Sequence, residues 1–254
     1  MRVQACAADV VHGHGAKGGA YARLCPPGRA IRVYTPHGGS LHYRPTSPAG
    51  LLYLSLERIL LSRTDLLLFE SAYGRDVFRA RIGAPACRAR VVHNGVSDAE
   101  FAPIATEPGA TDLVFVGELR MLKGVDVLID ALALLARQGR RSTATIVGDG
   151  PDAERFRARA KAAGLGDSIR FPGPMPARAA FARGRVLVVP SRAESLPYIV
   201  LEAGAAARSP AERGGMASHV VGGLADRFDL GGLLVGDADA VAVVGSQDRW
   251  VLLG

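Results

Sequence analysis

The stretch that decides the fold is residues 113–147, LVFVGELRMLKGVDVLIDALALLARQGRRSTATIV. Its two ends, Leu113–Val116 and Thr143–Val147, are short apolar runs that predict buried strands. Between them, apolar residues at helical spacing form one face: Val125, Leu128, Ile129, Leu132 and Leu135. Gly139 suits the end of that helix. A strand, a helix and a second apolar strand predict a β-α-β unit of a parallel sheet.

The same alternation continues on both sides of this unit. Further strands are predicted at Asp9–Val11, Ile31–Thr35, Leu66–Phe69, Arg90–Val92, Ser168–Phe171 and Val186–Val189. Pro151 is expected at the first position of a helix that Gly164 follows. The repetition predicts an α/β protein with doubly wound parallel sheets.

A linker divides the chain into two such regions. Residues 103–110, PIATEPGA, contain two prolines and no periodicity. We therefore predict one domain over residues 1–102, a linker over 103–111, and a second domain over 112–254 with an atypical tail at 208–254. Two domains of this kind predict a ligand cleft between them, at the carboxyl ends of the strands.

Composition excludes several classes of protein. The 254 residues are 48% hydrophobic and 22% charged, which is typical of a globular protein. Three scattered cysteines and the lack of a secretory signal predict a cytoplasmic location, without a disulfide framework or zinc site. Residues 1–100 hold 13 basic and 7 acidic side chains. This basic half could face anionic phosphates, such as lipid head groups at the inner membrane face, or be an ordinary solvated surface.

The segment 117–124, GELRMLKG, joins a strand to the strongest predicted helix. Arg120 and Lys123 stand three residues apart at the start of that helix, where backbone amides already favour anions. The order of residues is not that of a P-loop. The segment therefore predicts a diphosphate-binding turn, and the alternative is a loop with ordinary surface charges.

Two acids frame the segment 194–202, ESLPYIVLE. Pro197 is placed to open a helix, which puts Glu194 before it and Glu202 in its second turn. The carboxylates would lie roughly 10 Å or more apart at 1.5 Å per helical residue. That spacing disfavours a glycosidase pair and suits one acid at each end of an extended ligand. Two surface glutamates are the alternative.

Histidines mark the strand ends of the first domain. The segment 13–18, GHGAKG, has dinucleotide-binding spacing, but Thr35 stands where an acid is needed. As a tight turn that carries His12, His14 and Lys17, it could instead hold a phosphate; no Asp or Cys nearby completes a metal site. His37 ends the second strand, and both a structural and a functional role remain open for it.

Together these segments resemble glycosyltransferase family 4, a family of retaining enzymes with the GT-B fold of two Rossmann-like domains. The resemblance runs from about Ala8 to Ala207. It rests on VGELRMLKGVDVLIDAL at 116–132, IVGDGP at 146–151 and VVPSRAESLPYIVLEA at 188–203, with the E-x7-E spacing. The opening DVVHGHGAKGG is similar to bacterial members that build cell-surface polysaccharide on lipid-linked acceptors.

The resemblance implies a role for each site residue. Arg120 and Lys123 would bind the donor diphosphate, supported by backbone amides around Leu196 and Tyr198. Pro197 stands where the family often has glycine, so that position donates no hydrogen bond. Glu202 would bind the ribose, Glu194 the transferred sugar, and the region of Phe171, Gly173 and Met175 the base. His37 would lie at the reaction centre. Family members need no metal or other cofactor.

The chain departs from the family pattern at both ends. The family has another strand and a glycine-rich loop before the position of Ala8, and an apolar strand after the position of Ala207. We therefore expect an incomplete N-terminal domain and a fragment or frame-shifted product, whose activity stays open.

The function expected from these features is retaining transfer of a hexose from a nucleotide sugar to a saccharide or lipid-linked acceptor. The alternatives are a nucleotide-sugar binding module without turnover and a GT-B-like sugar-phosphate epimerase. A nucleic-acid partner is not expected, because the basic excess lacks interleaved aromatic residues.

Overall fold

The computed structural model describes residues 8–26, 28–192 and 197–206. It divides this part of the chain into two compact units, one ending at Asn94 and one beginning at Gly95. No helix in the described residues is long and apolar enough to cross a bilayer. The predicted Glu194 and Leu196 and the tail 208–254 lie outside the described residues.

The first unit is a four-stranded parallel sheet in the order β1-β2-β3-β4. Its elements are β1 (Val10–His14), α1 (Gly15–Leu24), β2 (Ile31–Thr35), α2 (Pro48–Leu61), β3 (Leu66–Phe69), α3 (Ala72–Arg81) and β4 (Arg88–Val91), with a 3₁₀ turn at Gly39–His42. Serine hydroxyls cap two helices: Ser47 accepts from the amide of Gly50, and Ser71 from the amide of Gly74. The two caps define where α2 and α3 begin.

A buried ionic network lies inside this first unit. The Arg23 guanidinium is fully buried, 2.8 Å from Glu57 Oε2 and stacked 3.8 Å above the Tyr34 ring. The other Glu57 oxygen accepts hydrogen bonds from Tyr34 Oη at 2.9 Å and Ser40 Oγ at 2.8 Å. Burial, with the Glu57 charge beside it, raises the pKa of the Tyr34 phenol, so Tyr34 acts here as a hydrogen-bond donor.

The second unit is a four-stranded parallel sheet in the order β7-β6-β5-β8. Its elements are β5 (Thr111–Val116), α4 (Val125–Arg137), β6 (Ala144–Val147), α5 (Ala153–Ala162), β7 (Ile169–Gly173), α6 (Ala177–Phe181), β8 (Gly184–Leu187) and α7 (Tyr198–Ala206), with 3₁₀ turns at Asp98–Phe101 and Met121–Lys123. Apolar clusters cover both faces of the sheet, one around Ile129 and Phe156 and one around Val114 and Phe181. This is a doubly wound sheet of the predicted kind.

The α/β class and parallel sheets predicted from the sequence are therefore confirmed. One helix start was wrong: α5 begins at Ala153, with Pro151 two residues outside it. The reason is a tertiary contact. The Asp152 carboxylate, at the helix boundary, accepts a hydrogen bond from the Met121 amide at 2.9 Å and does not cap its own helix. The Asp152 amide in turn donates to the Leu119 carbonyl.

Candidate active site

The predicted diphosphate turn lies at the carboxyl end of β5. Arg120 precedes a single 3₁₀ turn, Lys123 ends it, and Gly124 then takes the left-handed conformation (φ 72°) from which α4 begins. The turn is held by its neighbours, since the Leu119 amide donates to the Asp149 carbonyl and the Met121 amide to Asp152. The two cations therefore stand on a fixed backbone at a helix N-terminus, as an anion site requires.

Glycines allow this turn to pack closely against its neighbours. A Cβ at Gly124 would collide with the Pro190 carbonyl oxygen, and one at Gly148 with the Gly117 carbonyl oxygen. Both residues also have positive φ, which side chains disfavour. The segments after β5, β6 and β8 thus meet backbone to backbone around the turn.

A carboxylate–guanidinium pair fastens the segment after β8 to the start of α4. Arg192 donates to both carboxylate oxygens of Asp126, at 2.9 and 2.6 Å, and to the Met121 carbonyl. Burial acts to raise the pKa of Asp126, but the hydrogen bonds and charge of Arg192 outweigh it and hold that pKa below its usual value. No local sequence pattern predicts this pair, because its members are 66 residues apart.

Of the two predicted cations, Arg120 has an acidic neighbour. Arg120 is half exposed and lies 3.3 Å from Glu118, which is equally exposed. An exposed pair of this kind stabilises by less than about 1 kcal/mol, so it does not lock Arg120 to Glu118. Lys123 has its side chain on the same turn, three residues on.

Helix α7 carries the described part of the acid pair. Tyr198 is its first residue and is half exposed, and Glu202 lies in the second turn, as predicted. Burial, together with the negative charge of Glu100, raises the pKa of Glu202. A carboxylate held in such a place favours a hydrogen-bond donor as its partner, such as a ligand hydroxyl.

The predicted base-binding residues lie at and after the end of β7. The Phe171 ring packs against the cluster around Ile129 and Phe156, with the Arg157 guanidinium 5.0 Å from its centre. Gly173 has positive φ, and its carbonyl accepts from the Gly148 amide at 3.2 Å. Met175 packs on the other apolar cluster. Gly173 and Met175 thus lie at the same end of the sheet as the diphosphate turn.

A separate pocket of about 250 Å³ lies at the opposite end of this sheet. Its walls include linker residues Glu107–Ala110, the side of β7 at Arg170, and Arg183, which directly precedes β8. Arg170 donates to the Gly109 carbonyl at 3.1 Å, which ties the linker to the sheet. Of the residues predicted to bind the base, Phe171 also lines this pocket, whereas Gly173 and Met175 do not.

In the first unit, side chains from the ends of three strands form one hydrogen-bonded chain. His14, the last residue of β1, has Nδ1 2.8 Å from Nε2 of His37, which follows β2. His37 Nδ1 lies 2.6 Å from Oε1 of Glu70, the residue after β3. His37 has φ 50°, a conformation unusual for a residue with a side chain, so the backbone is strained where the side chain meets both partners.

Further groups surround this chain. Asn94, beyond β4, donates to Glu70 Oε1 at 2.9 Å, and His93 Nδ1 lies 3.1 Å from the Glu70 carbonyl. His12 lies 2.9 Å from the Thr35 hydroxyl, with its ring 4.0 Å from that of His14. Burial, together with the charges of His14 and His37, lowers the pKa of His12. All four strands of the first sheet therefore contribute to one polar cluster.

The structure brings together His14 and His37, which the sequence analysis singled out separately. It adds Glu70 and Asn94, which that analysis missed although both stand at the ends of recognised strands. Lys17 lies in α1 with an exposed side chain. Among the described residues, no three His, Cys, Asp or Glu side chains are arranged to hold a metal ion.

Family models match both halves of the chain. The model described as Glycosyl transferases group 1 matches residues 110–244, and that described as Glycosyltransferase Family 4 matches residues 1–100. The first match covers more than half of the chain. The protein therefore belongs to the group 1 glycosyltransferases, and the predicted family is confirmed.

Curated relatives agree with this family. An α-D-kanosaminyltransferase of Streptomyces kanamyceticus is 28% identical over 67% of this chain and 47% of its own length. The D-inositol 3-phosphate glycosyltransferase 1 of Catenulispora acidiphila is 29% identical over 89% of this chain and 60% of its own length. A 2-deoxystreptamine glucosyltransferase of S. kanamyceticus is 30% identical over 86% and 61%. The chain spans about half the length of the curated relatives it matches.

Solved structures place the fold among GT-B enzymes. The sucrose-phosphate synthase of Thermosynechococcus elongatus aligns with a TM-score of 0.64 at 23% identity, over 78% of this chain and 54% of its own. The Anabaena protein HepE, solved with UDP-glucose, aligns with a TM-score of 0.63 at 22% identity, over 78% and 58%. The predicted fold class is thus confirmed, and these likenesses carry the fold alone.

Proposed function

We propose that this protein is a retaining hexosyltransferase, which moves a sugar from a nucleotide-sugar donor to a saccharide or lipid-linked acceptor in cell-surface polysaccharide synthesis. The family supports sugar transfer, and one relative is named a kanosaminyltransferase and another a glucosyltransferase. The proposal includes a cytoplasmic location and needs no metal or other cofactor.

The second unit would bind the donor. Cleaving the sugar–phosphate bond leaves negative charge on the diphosphate, and fixed cations at a helix N-terminus stabilise that charge. We assign this role to Arg120 and Lys123, with the backbone near Leu196 and Tyr198 in support. Glu202 would accept hydrogen bonds from the ribose hydroxyls, and Glu194 would contact the transferred sugar. The base would lie near Phe171, Gly173 and Met175.

The first unit would hold the acceptor side of the reaction. His37 stands in the polar cluster at the strand ends, where a saccharide hydroxyl could meet imidazole groups. His14 and Lys17 are candidates for binding an acceptor or its phosphate. The proposal thus assigns the acceptor to one domain of the GT-B fold and the donor to the other.

Membrane contact is part of the proposal. Leu52, Leu56 and Ile59 are exposed on one side of α2, and the surrounding half of the chain is basic. Exposed apolar side chains with nearby cations suit an anionic lipid surface. Co-sedimentation with phosphatidylglycerol vesicles but not with phosphatidylcholine vesicles would support this contact. A protein that sediments with neither kind of vesicle would contradict it.

The observation that carries the donor role is the rigid cationic turn after β5. Calorimetry with UDP, GDP and ADP should detect binding of at least one nucleotide. Lys123→Ala should weaken that binding by tenfold or more, because a charge-assisted contact to phosphate is lost, at about 1.4 kcal/mol per tenfold.

Lys161→Ala is the matched control, because Lys161 is an exposed lysine in the last turn of α5. Equal affinities for the parent protein and Lys123→Ala would contradict the assignment of the turn. Binding with no release of nucleoside diphosphate from any nucleotide sugar would favour the binding-module alternative. Product formed without an acceptor would favour the epimerase.

A further inference from the structure

The pocket of about 250 Å³ at the amino end of the second sheet has walls that are fastened to one another. Its linker wall, Glu107–Ala110, is a turn closed by a hydrogen bond of 3.0 Å from the amide of its last residue to the carbonyl of its first. The Glu107 amide donates to the Ala182 carbonyl at 2.7 Å, and Arg170 donates to the Gly109 carbonyl. The pocket is therefore preformed, as small-molecule sites usually are.

Arg183 gives this pocket a hydrogen-bond donor that lacks an acceptor. Its Nε is buried, and no described residue accepts a hydrogen bond from it. A buried N–H group without an acceptor destabilises a protein, and nearly all such groups in folded proteins have a partner. Because Arg183 lines the pocket, an acceptor atom of a molecule bound there would supply the missing partner.

The charges of the lining favour a phosphate. The described lining has two guanidinium groups, those of Arg170 and Arg183, and one carboxylate, that of the exposed Glu107. A phosphate monoester carries a charge of about −1.5 to −2 at neutral pH, which two guanidinium groups can balance, whereas a carboxylate brings a single charge. Hydrogen bonds between guanidinium and phosphate groups are also charge-assisted and therefore strong.

A buried threonine supplies an acceptor for ligand hydroxyl groups. Thr145 lines the pocket, and its Oγ1 lies 2.9 Å from that of Thr111. The Thr111 hydroxyl also lies 2.8 Å from the Leu113 carbonyl and 3.0 Å from the Arg183 carbonyl. Carbonyl oxygens only accept, so Thr111 donates its proton to one of them and Thr145 donates to Thr111. Thr145 Oγ1 then keeps lone pairs for a hydroxyl donor, and Glu107 is a second acceptor.

We infer that this pocket binds a small sugar phosphate, with the phosphate at Arg183 and Arg170 and sugar hydroxyls at Thr145 and Glu107. Its volume lies below the roughly 300–1,000 Å³ of typical drug-sized sites, which suits a monosaccharide phosphate and not a nucleotide sugar. Phe171 offers apolar surface to the C–H groups of a sugar ring. The site is distinct from the diphosphate turn, and the inference does not depend on the proposed sugar transfer.

Calorimetry with the full chain tests the class of ligand. The probes are glucose 6-phosphate, glucuronate, glucose and inorganic phosphate. Glucose 6-phosphate should bind at least about tenfold more tightly than each of the other three, because it alone combines a divalent anion with sugar hydroxyls. Glucuronate or inorganic phosphate binding as tightly as glucose 6-phosphate would overturn the assignment. A chain that does not bind glucose 6-phosphate would show that the pocket holds only water, which would also overturn it.

Arg183→Met keeps the aliphatic part of the side chain and removes the unpartnered donor and the charge. It should weaken binding of glucose 6-phosphate by about tenfold or more. Its midpoint of urea unfolding should not fall, because the lost Nε–H group had no acceptor. Arg185→Met is the matched control, since Arg185 is an exposed arginine of β8 that pairs with Asp112. Equal affinities of the parent chain and Arg183→Met would overturn the site.

Hydrogen exchange of the parent chain locates the ligand without any variant. Glucose 6-phosphate at ten times its Kd should slow exchange of the Ala110 and Thr111 amides by about tenfold, because opening there requires release of the ligand. These amides donate to the carbonyls of Glu107 and Arg183, in the wall of the pocket. Slowing confined to the diphosphate turn would overturn the inference.

The two proposals fail in different ways. Lys123→Ala should weaken nucleotide binding and leave the affinity for glucose 6-phosphate unchanged, and Arg183→Met should do the reverse. Loss of both affinities in Lys123→Ala would mean that the sugar phosphate binds at the diphosphate turn, which would overturn this inference and leave the donor role intact. A parent chain that binds glucose 6-phosphate at Arg183 and binds no nucleotide would defeat the proposed function alone.

Discussion

The two sheets of this protein fix their carboxyl-end sites by different means. In the first unit, side chains do it, through the Glu70–His37–His14 chain and the buried Arg23–Glu57–Tyr34 network. In the second unit, backbone packing does it, through glycines that let the turn after β5 touch its neighbours. Asp126 and Arg192 add one side-chain link there.

The difference shows which changes each site can tolerate. A site held by buried charges is sensitive to loss of a charge, because a partner left alone in the interior is costly. A site held by glycine contacts is sensitive to added atoms, because backbone cannot move aside as a flexible side chain can. We therefore expect the first unit to lose stability when a charge is removed without a change of shape, and the second when a single methyl group is added.

The largest effect is expected for Glu57→Gln. The amide keeps the shape and can still accept from Tyr34 and Ser40, but it leaves the fully buried Arg23 without a counter-charge. Removing one member of a buried pair costs about 3–5 kcal/mol. Hydrogen exchange of the β2 amides, which reports on the first unit, should show a loss of protection of that size.

The matched control is the double variant Arg23→Met with Glu57→Gln. It removes both charges, so most of the protection lost in Glu57→Gln should return. If the double variant were as unstable as the single one, charge pairing would not be what holds this unit, and the contrast between the two sheets would fail.

The next effect is expected for Gly124→Ala. The new methyl would meet the Pro190 carbonyl, and the residue must keep a left-handed φ of 72°. Conformational strain of about 1 kcal/mol and steric displacement of about 2 kcal/mol together predict a loss near 3 kcal/mol. Urea unfolding followed by hydrogen exchange in β5 measures it.

Gly139→Ala separates the two contributions. Gly139 has a similar φ of 79°, and nothing lies within 4 Å of an added Cβ. This variant should lose only the conformational part, about 1 kcal/mol. Equal losses at the two glycines would mean that the close contact with Pro190 contributes nothing.

Much of the fold follows from the sequence because apolar runs are local signals. The bounds predicted for β2 and β3 are those observed, since Pro36 follows the first run and Asp65 and Glu70 flank the second. Strand β8 begins two residues earlier than Val186, at Gly184, because pairing of Gly184 with Thr111 extends the ladder. The start of this strand depends on the close packing of Gly184 against Val114, which the hydrophobicity of the sequence does not reveal.

The site follows from the sequence less completely. Arg120, Lys123 and Glu202 are recognisable because they lie within one short segment each, next to a predicted helix. Glu70 is 33 residues from His37, and Arg192 is 66 residues from Asp126. Pairings at such distances depend on which strands are neighbours, and no local spacing encodes that order.

The smallest effect is expected at Glu202 in the second unit. Two described acids of that unit have opposite pKa shifts: the pKa of Asp126 is lowered, and that of Glu202 is raised by burial and by Glu100. A carboxyl with a raised folded pKa stabilises the protein below its unfolded pKa, and this contribution is lost as the pH rises through the folded value. At neutral pH the ionised Glu202 therefore lowers the stability of the folded protein.

Glu202→Gln should raise the stability of the second unit at neutral pH by less than about 1 kcal/mol, because the side chain is partly solvated. The gain should vanish at acidic pH, where Glu202 is protonated and resembles the amide. Thermal unfolding at two pH values measures this, and calorimetry with the best-binding nucleotide should show weaker affinity in the same variant. A variant that is less stable at neutral pH would mean that Glu202 has a favourable partner, and its place in ribose binding would lose its physical basis.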